Sequence, residues 1–535
     1  LYLGDYPDLK NYSLGLAIKT APLLPQTNVY LSDIVCPITK EEKMHLKYKV
    51  SFNQIQMVFL LSLFISLSNI FSIAIAADDT AKEKLKNILS QNSFQQSLQW
   101  EQQCNLKPFC RPTKDYSMAL VEYPKDETYC YVSKDIPKSL EQLIKTFIQK
   151  DKVFFPLHPF TQSSDIPWYE KHLENKGKSR LDPTIKLKSL PVKLTASRTL
   201  YHSVDAQTAL GIKTGTDYIL DKNDHNFQKV FHHQPNKLDL SEEVMVSKDR
   251  DEYLKSVNDK VGPDSDLIFL KEVASAQVKD WKDIFFSHKH FGNGFILRDI
   301  TPLTDGNYYV PAFSIPYIGH NIAQINGEDF NQFWGKHFAK NLGRIKAKLL
   351  LRYGLQMETP NTQNMLIQLD AKTLKPTGKM VLRDMSDTQF VSPVAKALDP
   401  SNEEQWIEKD LQHKVKNISP FWYNSSWRLD SPISDSAISK TVINQWEEEH
   451  SKGYLEEINS ALNINIKPLD LTALKTQKKE LYSFLESVFD DNQHRFPLST
   501  EHLYTIQIQK FLTSKEGQEK LREYRMKLEK SFQAK

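Results

Sequence analysis

Cationic and hydroxyl side chains gather between Thr184 and Thr199, where Lys186, Thr195 and Arg198 stand at the two ends of a strand–turn–strand pattern. Such a set suits a polyphosphate, with lysine as a point charge, arginine as a bidentate fork and threonine as a hydroxyl donor. A basic edge strand kept soluble by its lysines fits the same residues. Further along, the polar segment Glu358-Thr359-Pro360-Asn361-Thr362-Gln363-Asn364 precedes a strand that ends on the adjacent pair Arg383-Asp384. A polar loop and a charged strand end, both anchored by apolar elements, are a natural place for chemistry, although a solvated hairpin with a capped end has the same pattern. Upstream, His158 closes an apolar run ahead of Pro159, a position where a lone histidine reads first as structural. Gly211-Ile212-Lys213-Thr214-Gly215-Thr216 faintly resembles a phosphate loop but lacks the Walker spacing, so a turn between strands accounts for it. The pairs Asp224-His225, His232-His233 and His288 with His290 match no metal-ligand spacing and read as solvated loops.

These residues need elements to hold them. Phe333, Trp334, Phe338, Leu342, Ile345 and Leu349 recur at helical spacing up to Gly354. A strand over Met365–Leu369, a turn through Lys375-Pro376-Thr377-Gly378 and a strand from Lys379 to Asp384 follow, so a buried helix feeds a hairpin. Between residues 152 and 330 the runs are short and β-rich (Val153–Pro159, Thr184–Thr199, Asp266–Leu270, Gly294–Asp299, Asn307–Phe313), separated by polar segments, notably Asp221 to Val261. Residues 77–151 read as a smaller, mostly helical subdomain, with an amphipathic run at Leu140, Leu143, Ile144, Phe147 and Ile148 and a strand-like piece at Tyr129–Val132. Residues 331–535 hold the helix and hairpin and then turn helical, with candidates over Asn402–Val415, Asp435–His450, Leu471–Phe489 and Glu501–Phe532, the last broken near Gly517. The fold class expected is α+β, its three regions packed into one body.

Composition narrows the partners. The 535 residues carry 69 Lys+Arg against 66 Asp+Glu, a net charge of +3, with 40% hydrophobic residues. That is a globular composition without the basic footprint of a nucleic-acid binder, so small molecules or proteins are expected. Met44 is followed by His45, Lys47 and Lys49, by the apolar run from Met57, and by Ala74-Ile75-Ala76, the parts of a secretory signal peptide. On that reading residues 1–43 are an upstream extension, 44–76 a leader, and the mature chain starts near Ala77, exported across the inner membrane. A retained anchor is the alternative, because Met57 to Ala76 is long enough to span. Export would allow two of Cys104, Cys110 and Cys130 to pair, most simply Cys104 with Cys110.

The order of the chemical residues carries further than any one of them. His158-Pro159 after an apolar strand, Lys186-x8-Thr195-x2-Arg198, a strand ending Leu297-Arg298-Asp299, Gly354 with Glu358, Gln363-Asn364 and Arg383-Asp384 together resemble the IucA/IucC family of siderophore synthetases that work without nonribosomal peptide synthetases. The resemblance covers roughly residues 150 to 390. It implies a cupped-hand fold of thumb, fingers and palm, and an ATP- and magnesium-dependent ligase that adenylates a carboxylate such as citrate and passes the acyl group to an amine, hydroxylamine or alcohol. Carried over by position, Lys186, Thr195 and Arg198 would hold the phosphates, and Gln363 would contact the nucleotide, with Asn361 in place of a family histidine. Glu358 and Asp384 would bind the metal, and His158 with Arg198 would serve the carboxylate in catalysis. Two departures stand beside this: Ser179-Arg180-Leu181 replaces the family's Ser-x-Arg-Thr, and the Glu-x-His-x-Gln-Asn segment lacks its histidine and has one extra residue. They leave a second expectation, an exported relative without adenylation that binds a ligand or protein through the old cleft. The partners expected are thus a small carboxylate and an amine or alcohol, with a second copy of the chain as a candidate, no nucleic acid, and the membrane only through the leader.

Overall fold

The computed structural model describes residues 82–104, 115–159, 188–195, 199–203, 205, 208–214, 241–278, 294–357, 364–407, 440–467, 508 and 510–535. The chain divides into two compact units, 1–72 and 73–535, and all described residues belong to the second. The leader and the extension before it, Cys110, the Cys104 side chain, the helix expected over 471–489 and the paired histidines of the polar loops lie outside the described residues. Cys130 is a thiol, its sulfur 3.1 Å from Thr128 Oγ1.

An eight-stranded antiparallel sheet forms the first layer. Its strands are β1 (Tyr116–Pro124), β2 (Thr128–Val132), β3 (Lys152–Leu157), β4 (Lys188–Leu194), β5 (Thr199–Ser203), β6 (Ala209–Thr214), β8 (Glu272–Val278) and β9 (Gly294–Asp299), in the order β2-β8-β9-β6-β5-β4-β1-β3. Strand β7 (Leu267–Phe269) belongs elsewhere. One face of the sheet buries Met118, Leu120, Leu210, Ile212, Phe295 and Leu297 under the short helix α2 (Lys138–Ile144), which follows helix α1 (Ser93–Cys104) in the chain. Successive side chains of a strand alternate between faces, so Gly211 and Lys213 of β6 and Arg298 of β9 turn to the opposite side. The sheet curls on itself: Phe155 of edge strand β3 meets Phe295 of β9 edge-on at 5.4 Å, and the Thr214 hydroxyl donates to the Pro156 carbonyl at 2.8 Å. Because β1 and β2 lie in this sheet, the segment expected to be a helical subdomain shares its main element with the central region.

The second layer is a four-stranded sheet, β10 (Tyr308–Pro311), β12 (Met365–Leu369), β13 (Pro376–Leu382) and β7, in the order β10-β12-β13-β7, while β11 (Leu355–Met357) pairs apart from it with β14 (Thr388–Phe390). Behind it runs the helix read from the sequence. It starts at Phe330 with the Asp329 carboxylate capping the Asn331 and Gln332 amides, passes through a π-helical turn over Gly335–Lys340, and continues as Asn341–Tyr353. It stops at Gly354, whose φ of 62° is the left-handed C-cap that glycine adopts without strain. Leu342, Ile345 and Leu349 are fully buried on it, each worth about 1.5–3 kcal/mol of hydrophobic stabilisation. The helix Lys440–Leu462 crosses it so closely that a Cβ on Gly343 would overlap the His450 carbonyl oxygen, and one on Gly453 the Lys340 carbonyl oxygen.

Four expectations are corrected. Ser241–Val261, read as polar connector, is a helix (α3) that buries Arg250, Tyr253, Val257 and Val261 along one stripe. Its charges sit between those positions and mask the period. The hairpin turn falls earlier, at Asp370–Lys375, because the Asp370 carboxylate accepts the Lys372 and Thr373 amides and the Thr373 hydroxyl; β13 already starts at Pro376. The C-terminal helix breaks at Ser514, which caps Lys515–Gln533 by accepting the Gly517 amide. Gly211–Thr214 is a strand, not a turn. Among the described residues no helix is long and apolar enough to cross a membrane.

Candidate functional site

Six charged side chains meet where the two sheets adjoin. Lys213 projects from the middle of the large sheet, and its Nζ donates to both oxygens of Asp384, at 2.7 and 2.8 Å. Asp384 follows β13 with φ 68° and ψ 55°, a left-handed conformation uncommon outside glycine and best tolerated by Asn and Asp. Its Oδ1 also accepts the Ser386 hydroxyl at 3.0 Å and Arg298 Nη2 at 3.4 Å. The same Arg298 nitrogen donates to Glu272 Oε1 at 2.7 Å. That contact is a direct cross-strand pair, because the register shift between Glu272 and Ala274 sets Glu272 opposite Arg298. Arg298 packs over Gly211, where a Cβ would lie 3.5 Å from the arginine Cβ. Next to Asp384, Arg383 donates to Glu101 Oε1 of the helix Ser93–Cys104 at 2.8 Å. All six side chains are buried, and three cations face three carboxylates. Burial of charge on this scale is tolerated only because each group is paired.

Thr195 joins this cluster. It directly follows β4, and its hydroxyl and amide both donate to the Thr199 carbonyl at 3.1 Å, which ties the end of β4 to the start of β5. Thr195, Arg298, Arg383 and Glu101 line one cavity of ≈ 40 Å³, closed by Leu200 and Leu366. That is room for a water and far short of a nucleotide. A wider groove of ≈ 410 Å³ borders the cluster through Glu272 and Met385 and runs between α3 and the segment 267–272. Leu254, Leu267 and Phe269 give it an apolar wall; Asp251 in it accepts from the Tyr131 hydroxyl at 2.8 Å, and burial pushes its carboxyl above the usual range.

Of the residues singled out in the sequence, Thr195 and Asp384 are thus brought to one place, with Arg298 touching both surroundings. His158 closes β3, two residues after the Pro156 carbonyl that Thr214 binds; it is 2% exposed, and burial holds its imidazole down at about 3. A ring neutral at pH 7 has no positive charge to offer a carboxylate. Lys186, Arg198, Glu358, Asn361 and Gln363 lie outside the described residues. Sequence reasoning missed Lys213, Glu272 and Glu101. The available signal was Lys213 inside the otherwise uncharged run Ala209–Thr214, since a lysine in a strand buried on both faces needs an acid nearby.

The donor set tests the magnesium expected at Asp384, and it does not fit. Mg²⁺ binds carboxylate oxygens at about 2.0–2.1 Å and keeps several waters, whereas here both oxygens are held by an ammonium group with a guanidinium alongside. Among the described residues no group of three or more His, Cys, Asp or Glu is placed to hold a metal ion.

No protein-family profile matches this sequence, and no curated relative does either. Several solved structures are similar to it. Three of them are the petrobactin biosynthesis protein AsbB from Bacillus anthracis str. Sterne (14% identity, TM-score 0.45, 70% of this chain and 63% of that one), the aerobactin synthetase IucC from a hypervirulent pathotype of Klebsiella pneumoniae (12%, 0.44, 72% and 74%), and the ATP-bound aerobactin synthetase IucA from the same source (14%, 0.43, 76% and 78%). The chain spans less than two thirds of the length of AsbB. At these identities and TM-scores the chemistry rests on this chain's own residues.

Proposed function

We propose that the protein is a siderophore-synthetase-like ligase that uses ATP to activate a small carboxylate, citrate or a similar acid, and joins it to an amine, hydroxylamine or alcohol. The observation that carries this reading is the convergence of Thr195, Arg298 and Asp384, three residues of the motif order read in the sequence, at the junction of the two sheets. Among the described residues the six charges of the cluster sum to zero, so it serves as a rigid frame. The excess positive charge for a triphosphate is assigned to Lys186 and Arg198, which precede β4 and β5 in the sequence. In the first step a carboxylate oxygen attacks the α-phosphorus, the bond to the bridging oxygen breaks, and pyrophosphate leaves. In the second the nucleophile attacks the acyl carbon, loses a proton, and AMP leaves. Both steps build negative charge on phosphate oxygens, which fixed cations stabilise without reorganisation. Asn361 and Gln363 are assigned to the nucleotide as neutral hydrogen-bonding groups, and Glu358 to the polar loop beside them.

One observation favours a second reading. Lys213 holds both oxygens of Asp384, as in a site whose metal-dependent chemistry has been given up, leaving an exported relative that binds a ligand or a protein through the same cleft. Citrate-dependent pyrophosphate release from ATP by the purified chain separates the two. Release that needs both citrate and an amine-bearing acceptor for turnover supports the ligase. A folded protein that releases none supports the binding module.

A further inference from the structure

Asp384 stands in the motif position expected to hold a divalent cation, yet its surroundings are those of a carboxylate already neutralised. Lys213 Nζ sits nearly equidistant from Oδ1 and Oδ2, at 2.7 and 2.8 Å. It thereby occupies the approach that a bidentate metal would take. The lysine is not a passing surface group: β6 lies between β5 and β9 within the sheet, and the Lys213 side chain is 6% exposed. The carboxylate is fixed from its own side as well, by the left-handed backbone at Asp384 and by the Ser386 hydroxyl. Arg298 adds a second cation on Oδ1, with its own charge answered by Glu272. Among the described residues, a dication entering this space would meet two buried positive charges, Lys213 and Arg298, beside the carboxylates of Asp384 and Glu272, and repulsion there is screened far less than in water.

We infer that Lys213 is a built-in cation standing in for a divalent metal at Asp384, so the junction of the two sheets binds no divalent ion. Lysine suits the role, being a compact charge on a stem long enough to reach across from the next sheet. The inference stands apart from the ligase reading, because it concerns the charge state of the junction and not what binds beside it.

The test uses metal alone. The full chain, stripped with a chelator, is titrated with Mn²⁺ and followed by the paramagnetic resonance of the free ion, and thermal unfolding is recorded with and without Mg²⁺. Wild type, Asp384→Asn, Lys213→Met and the double variant are compared, each checked for folding by circular dichroism. Wild type and Asp384→Asn are expected to give the same Mn²⁺ isotherm and no Mg²⁺-dependent rise in midpoint. Lys213→Met is expected to gain a saturable site and a Mg²⁺-dependent rise, both lost in the double variant. A wild-type site that Asp384→Asn removes overturns the inference, and so does a folded Lys213→Met that gains none. Should Lys213→Met fail to fold, the wild type against Asp384→Asn comparison decides alone.

Discussion

Breaking the Lys213–Asp384 pair from one side and then the other exposes what the junction does for stability. The two side chains are 6% and 10% exposed and share two short charge-assisted hydrogen bonds. Asp384→Ala strips the buried ammonium of its carboxylate, and losses of this kind cost about 3–5 kcal/mol. Lys213→Met keeps most of the packed stem and leaves Asp384 with Arg298 and Ser386, so a smaller loss of about 1–3 kcal/mol is expected. Removing both charges in Lys213→Met with Asp384→Ala leaves neither group bare. The double variant should therefore be no worse than Asp384→Ala, with a coupling of about 2–3 kcal/mol between the sites. Urea unfolding read by tryptophan fluorescence is the assay, with Trp334 and Trp446 as reporters because both are almost completely buried. A cost below about 1 kcal/mol for Asp384→Ala, in the range of exposed pairs, would refute the buried-pair account. Additive single effects would refute it equally.

Other consequences lie away from the junction. Gly343→Ala should separate the helices Asn341–Tyr353 and Lys440–Leu462, since the new methyl overlaps the His450 carbonyl; overpacking of this kind costs about 1–3 kcal/mol or more, and an unchanged urea midpoint would contradict the crossing. His158 gives a pH signature. Its folded-state pKa of about 3 lies below the value of about 6.5 in an unfolded chain. Its contribution is therefore fully present above pH ~6.5 and is lost as pH falls toward 3, because only the unfolded state takes the proton. The slope from this group is at most about 1.4 kcal/mol per pH unit. His158→Gln should flatten the stability profile between pH 7 and pH 5, and an identical slope in the variant would show that the ring is solvated.

How much of this was legible in the sequence depended on whether the signal was local. The helix ending at Gly354 and the hairpin after it were readable because apolar period, a capping aspartate and a left-handed glycine all act within a few residues. The pairing of β4 with β5 beside Thr195 was readable for the same reason. Helix α3 was not, because its buried stripe is interrupted by Lys, Asp and Glu that point to solvent. The junction itself was half legible: Arg298 and Asp384 stood out at strand ends, but Lys213 lies 171 residues from Asp384 and Glu101 lies 282 residues from Arg383. No periodicity reports a pairing that only the stacking of two sheets creates. The competitor for a metal at Asp384 stayed hidden for that reason, since it is a lysine in a stretch that reads as a turn.

The most direct test of the central claim is calorimetric titration of the full chain with ATP, beside Lys186→Ala and Arg198→Ala, each confirmed as folded. The account predicts micromolar binding that both substitutions abolish, since the buried junction is neutral and these two residues supply the excess positive charge. A folded wild-type protein that binds no ATP, or binds it equally well without Lys186 and Arg198, would contradict it.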